Sequence, residues 1–115
     1  MIERDVKKSL REYLTKLGAY QYWPVPMGYG AKTVDVFFCY QGKFYAVECK
    51  RPGVNKATPL QDQVLKEVAA AGGGHCVEND VALSTVRAML ENHLTEKEQQ
   101  LEDAAESDYL DRQRS

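Results

Sequence analysis

The stretch Thr33-Val34-Asp35-Val36-Phe37-Phe38-Cys39-Tyr40-Gln41-Gly42-Lys43-Phe44-Tyr45-Ala46-Val47-Glu48-Cys49-Lys50 decides the fold of this chain. Both flanks of Gln41-Gly42 are rich in β-branched and aromatic residues, the composition of strands. Gln41-Gly42 has the length of a two-residue hairpin loop. With that turn Tyr40 pairs with Lys43, and Asp35 faces Glu48. Directly opposed residues have Cβ atoms roughly 4.5–5.5 Å apart. Lys50 shares the face of Glu48, because side chains alternate along a strand. Two carboxylates and an ammonium therefore converge on one patch. Facing like charges destabilise a ladder, and a shared divalent cation reverses that sign. A salt bridge among Asp35, Glu48 and Lys50 on a solvated sheet face uses the same residues, so spacing alone leaves both readings open.

Outward from the hairpin, Ile2, Val6, Leu10, Tyr13, Leu14 and Leu17 recur at helical spacing, and Gly18 can end that helix. Tyr20 to Trp23 read as a strand stopped by Pro24 and Pro26. Met27 to Lys32 form a glycine-rich loop, and Arg51 to Lys56 a second loop. Thr58-Pro59-Leu60-Gln61 opens a helix, with Thr58 as N-cap, Pro59 at N1 and Gln61 at N3 of a capping box. Leu60, Val64, Leu65, Val68 and Ala71 form its apolar stripe, and Gly72-Gly73-Gly74 ends it. His75 to Val77 is a short strand, and Val81 to Leu94 a helix. The order is αβββαβα, an α/β fold with a mixed sheet flanked by helices. Thr95-x-x-Glu98 is the signature of a new cap, so residues 1–94 are expected to form the domain. Residues 95–115 then form a charged C-terminal helix or tail, or an oligomerisation arm.

At 115 residues, 43% hydrophobic and 28% charged, the chain has the makings of one globular domain. It lacks both a bilayer-spanning apolar run and the pattern of a signal peptide, which predicts no membrane association and a cytoplasmic protein. Cys39, Cys49 and Cys76 form no CxxC pair, so reduced, buried thiols are expected rather than a zinc site. The net charge of −2 divides unevenly. Residues 95–115 hold seven acids against three bases, and residues 1–94 ten acids against twelve bases. The domain proper is mildly basic, which permits phosphate binding.

A carboxylate pair suits Mg²⁺ or Mn²⁺, hard cations that take oxygen ligands. Lys50 can orient an attacking water or stabilise charge in the transition state. Lys32, Arg51 and Lys56 flank the site as phosphate contacts or as a solvated rim. Tyr29 can stack on a base. Tyr20, Tyr22 and Trp23 are core residues by default, although beside a proline-broken strand they can also serve assembly. His75 and His93 are expected to be structural.

Asp35 followed by Glu48-Cys49-Lys50 on a hairpin resembles the PD-(D/E)XK nuclease superfamily. Glu3 on the first helix, Glu48-Cys49-Lys50-Arg51 before a glycine-containing loop, and Thr58-Pro59-Leu60-Gln61 opening a helix that ends at Gly72-Gly73 are together similar to the VRR-NUC (virus-type replication-repair nuclease) family. The resemblance covers roughly residues 1–90 and is nearest the stand-alone phage and bacterial type. Val34 stands where the superfamily pattern has proline. The resemblance implies that Glu3, Asp35, Glu48 and the Cys49 backbone carbonyl coordinate Mg²⁺ or Mn²⁺, that Lys50 is catalytic, and that Gln61 is a motif residue of the site. It implies a homodimeric endonuclease for branched DNA such as Holliday junctions, acting in repair in a bacterial or phage-infected cell. Flaps, nicks or plain duplex are alternative substrates. A DNA-structure-binding module without catalysis is the reading from another class.

Overall fold

The β-branched and aromatic residues on both sides of Gln41-Gly42 do form a hairpin, β2 (Val36–Tyr40) and β3 (Lys43–Cys49). The computed structural model describes residues 2–25 and 33–114. Gln41 and Gly42 both have positive φ, 53° and 79°, the backbone of the turn type whose twist matches that of paired strands. Tyr40 pairs with Lys43, and the register continues to Val36 opposite Val47, which brings Asp35 opposite Glu48. Thr33 to Asp35 lead into β2 without belonging to it. The loop read at Met27 to Lys32, with Tyr29 and Lys32, lies outside the described residues.

The element order is αβββαβα. Helix α1 (Glu3–Leu17) ends at Gly18, whose left-handed backbone (φ 74°) donates to Leu14 and Thr15 carbonyls. Strand β1 (Tyr20–Tyr22) pairs antiparallel with β2. Helix α2 (Pro59–Ala70) opens on the expected box: the Gln61 N–H donates to Thr58 Oγ1, and the Thr58 N–H to Gln61 Oε1. Strand β4 (Gly74–Glu78) pairs parallel with β3, so the four-stranded sheet is mixed, in the order β1-β2-β3-β4. Helix α3 (Ser84–Arg114) follows. No described helix is long and apolar enough to cross a membrane.

Helices α1 and α3 cover one face of the sheet. Val6, Leu10 and Leu14 pack there with Val36, Phe38, Tyr45, Val47, Leu83, Val86 and Leu90. Each such aliphatic side chain contributes about 1.5–3 kcal/mol by leaving water. Phe38 stacks on its cross-strand partner Tyr45, with ring centroids 4.9 Å apart. On the other face α2 sets Val64 and Leu65 against Val34 and Ala46. Leu60 and Ala71, expected in that stripe, are exposed. Strand β3 is buried on both sides from Tyr45 to Cys49. The three cysteines are free; Cys49 is buried, Cys76 half-buried, and Cys39, expected inside, is exposed because α2 does not reach it.

The expected break before Thr95 is absent. Thr95 donates its hydroxyl to the Glu91 carbonyl one turn back and α3 runs on, so the Thr95-x-x-Glu98 signature lies inside a helix. The last part of α3 is exposed throughout and accounts for the 63 Å long dimension beside transverse extents of 26 and 24 Å.

The start of α3 shows a device that the sequence hides. Its N-cap is Leu83, with φ 58° and no side-chain acceptor. The missing cap comes from Glu78 on β4, which is 0% exposed. One carboxylate oxygen accepts from Val86 N–H at 3.0 Å, the other from Asn79 N–H at 3.1 Å. A carboxylate is favoured there by the orphan amides and dipole of a helix start. Glu78→Gln would turn an NH₂ donor toward a backbone donor. It is expected to cost about 1–3 kcal/mol, read as a lower urea midpoint; an unchanged midpoint would refute the cap.

Candidate active site at the open end of the hairpin

Beyond Val36 the β2–β3 ladder continues through side chains. The Asp35 N–H donates to Glu48 Oε1 at 3.1 Å, and the Cys49 N–H donates to Asp35 Oδ2 at 2.8 Å. Each carboxylate thus accepts a backbone donor of the opposite strand, and the two acids are stitched together where strand pairing ends. Glu48 sits on β3, an interior strand, under α2 and is 1% exposed. Burial, and then Asp35 beside it, push its carboxyl up to about 8, with Lys50 pulling the other way. A buried carboxyl next to a like charge keeps a proton unless a cation takes its place.

Cations stand on both sides of the pair. Lys50 Nζ lies 3.7 Å from Glu48 Oε2 and donates to Gln61 Oε1 at 3.0 Å. Gln61 Oε1 also accepts from Thr58 N–H, so one amide oxygen closes the capping box of α2 and holds the lysine. The capping role read for Gln61 is present, and the same oxygen contacts Lys50. On the other side Lys7 Nζ lies 3.2 Å from Asp35 Oδ1 and 3.7 Å from Glu3 Oε1. Burial lowers the Lys7 pKa, but the charge and hydrogen bond of Asp35 and the charge of Glu3 outweigh it and hold the ammonium above the ordinary lysine value.

Glu3, Asp35, Glu48, Lys50 and Gln61, singled out from spacing and resemblance, therefore form one connected set, with Glu3 joined through Lys7. Lys7 was missed, although its position one turn after Glu3 on α1 was a signal that the two share a face. Arg51 and Lys56 are exposed on the loop between β3 and α2, whose Val54 carbonyl is pinned by Asn79. Tyr29 and Lys32 lie outside the described residues. His75 stands exposed on β4, two positions before Val77, the partner of Glu48, and His93 on α3 is bonded to Tyr45.

Among the described residues no three His, Cys, Asp or Glu side chains are gathered as a ready-made metal cluster. The donor chemistry of the acid pair nonetheless fits a hard divalent cation: two carboxylates in contact, one of them raised in pKa by its burial and then by the other. Asp35 and Glu48 would hold it. Comparison of the chain with protein-family models, curated proteins and solved structures gives no match.

Proposed function

We propose that this chain is a metal-dependent deoxyribonuclease with a PD-(D/E)XK core, of VRR-NUC type, that hydrolyses DNA phosphodiester bonds. The observation that carries the reading is the Asp35–Glu48 pair at the open end of the hairpin with Lys50 held against it by Gln61. A surface salt bridge accounts poorly for that arrangement, because Glu48 is buried and placed against a second acid. A bound Mg²⁺ or Mn²⁺ supplies charge neutralisation at phosphate and a more acidic water. The residues of the chain do the rest. Asp35 and Glu48 provide oxygen ligands, with the Cys49 carbonyl and Glu3 as further ones by resemblance. Lys50 presents a fixed ammonium to the attacking water or to charge developing on the phosphoryl oxygens. Gln61 orients Lys50, and Arg51 and Lys56 meet the backbone phosphates beside the cut.

The substrate proposed is branched DNA, four-way junctions foremost, cut in the cytoplasm by a homodimer that offers one site to each of two strands. Cleavage assays on linear duplex, nicked, flapped and four-way DNA test this. Metal-dependent cleavage with preference for the junction is expected. Cleavage of duplex or flaps at equal rates would retain the nuclease and discard the junction. Binding to all four without cleavage would leave a DNA-structure-binding module.

A further inference from the structure

We infer that the half of the sheet that no described helix covers, carrying Tyr20, Tyr22, Phe37 and Phe44, is a stacking platform for unpaired nucleotides that lead into the acid pair, an inference that rests on the nuclease reading above. The strand register places these four side chains with Cys39 and Ala46 on one face. Asp35 and Glu48 lie on that same face. Helix α2 covers its β3–β4 side, where Val64, Leu65 and Val68 pack with Ala46 and the half-buried Phe37. Among the described residues nothing covers the β1–β2 side or the Phe44 end of β3. Tyr20 is 77% exposed, Tyr22 60% and Phe44 45%. On the opposite face of the same strands Phe38 and Tyr45 are fully buried, so the aromatic character of the open face is not a by-product of the core.

An open sheet face ordinarily carries polar side chains. This one carries rings, and aromatic rings laid on a sheet stack the bases of single strands, because every base has a π-face. Phe37 and Phe44 are already stacked on each other, centroids 5.6 Å apart. Strands β1 to β3 place no charged side chain on that face before Asp35 and Glu48, so nothing on the strands repels a phosphate along the way. Asp35 lies two residues from Phe37, about 7 Å along the strand.

A second copy of the chain is a poorer occupant. Three rings of roughly 200 Å² each, exposed to these fractions, offer on the order of 350–400 Å². That is about half of the roughly 800 Å² per partner of a stable interface. A copy seated there would also cover the approach to Asp35 and Glu48.

The test is fluorescence anisotropy with a labelled short oligothymidylate and with a labelled duplex, in EDTA so that metal-dependent cleavage does not intervene. Tyr20→Ala/Tyr22→Ala is compared with Tyr20→Phe/Tyr22→Phe and wild type, with sedimentation of each. Both tyrosines are exposed, so the fold tolerates either change, and circular dichroism checks it. The alanine pair is expected to bind the oligothymidylate about a hundredfold more weakly, roughly tenfold per ring. Its affinity for duplex should change several-fold at most, and the phenylalanine pair should bind like wild type. Unchanged oligothymidylate binding by the alanine pair overturns the platform. So does a shift from dimer to monomer with binding per protomer unaltered, which assigns the face to a second copy. Wild type that binds duplex but not the single strand overturns the platform alone. Wild type that binds neither overturns the platform, while the nuclease reading stands or falls separately on metal-dependent cleavage of the four DNA structures.

Discussion

Glu48→Gln and Asp35→Asn are each expected to lower metal-dependent DNA cleavage on the order of a thousandfold or more, while the metal-free fold becomes no less stable. The second half of that expectation separates a functional site from a structural salt bridge. Each amide retains an oxygen that can accept the backbone N–H now bonded to the carboxylate. Glu48→Gln also replaces a carboxyl that the metal-free fold keeps protonated, and Asp35→Asn removes the negative charge beside it. The pH dependence gives the sign. Glu48 is 1% exposed, and burial and Asp35 push its carboxyl up to about 8. In the unfolded chain it titrates near the ordinary value of about 4.3. Between those values the folded state holds a proton that the unfolded state has released. The stabilisation is full below the unfolded value and is lost as pH rises through about 8. One proton changes stability by at most about 1.4 kcal/mol per pH unit. Urea unfolding of the metal-free protein should therefore give a lower midpoint near pH 9 than near pH 5, and Glu48→Gln should reduce that difference. A variant with the wild-type pH slope would show that Glu48 is not the titrating group.

Lys50→Ala is expected to lower the cleavage rate about a hundred- to a thousandfold with little change in DNA affinity, since one phosphate contact among many alters binding modestly. Gln61 extends the test to positioning. Gln61→Ala removes the acceptor shared by Lys50 Nζ and Thr58 N–H. It should cost about 1 kcal/mol as a lost cap and lower kcat roughly tenfold with KM little changed, because the ammonium is no longer aimed. Gln61→Glu keeps an acceptor for both donors and should recover most of each loss. If Gln61→Ala lost stability alone and cleaved at the wild-type rate, Gln61 would be a capping residue and nothing more.

The parts of this molecule that were legible in the sequence are those set by short-range rules. Gln41-Gly42 between two β-rich flanks fixed a hairpin register, and the register alone placed Asp35 against Glu48 and Lys50 beside them. Thr58-Pro59-Leu60-Gln61 announced its helix because a capping box is a contact between residues three apart. The failures share a cause in tertiary contact. Thr95-x-x-Glu98 has the same signature but caps nothing, since the chain stays helical through it and the Thr95 hydroxyl turns back to Glu91. The real cap of α3 is Glu78, eight residues before Val86 and on another element. Lys7 reaches Asp35 across the sheet end from α1, a meeting that no local spacing encodes. Tyr20 and Tyr22, core residues by composition, are among the most exposed side chains, because what covers a sheet face depends on where α2 docks.

The proposed binding of a divalent cation by Asp35 and Glu48 together is read by calorimetric titration of Mn²⁺ into the metal-free protein. A saturable site is expected in wild type and its loss in both Asp35→Asn and Glu48→Gln, with the fold of each variant intact by circular dichroism. Isotherms that are the same for wild type and the two variants would contradict it.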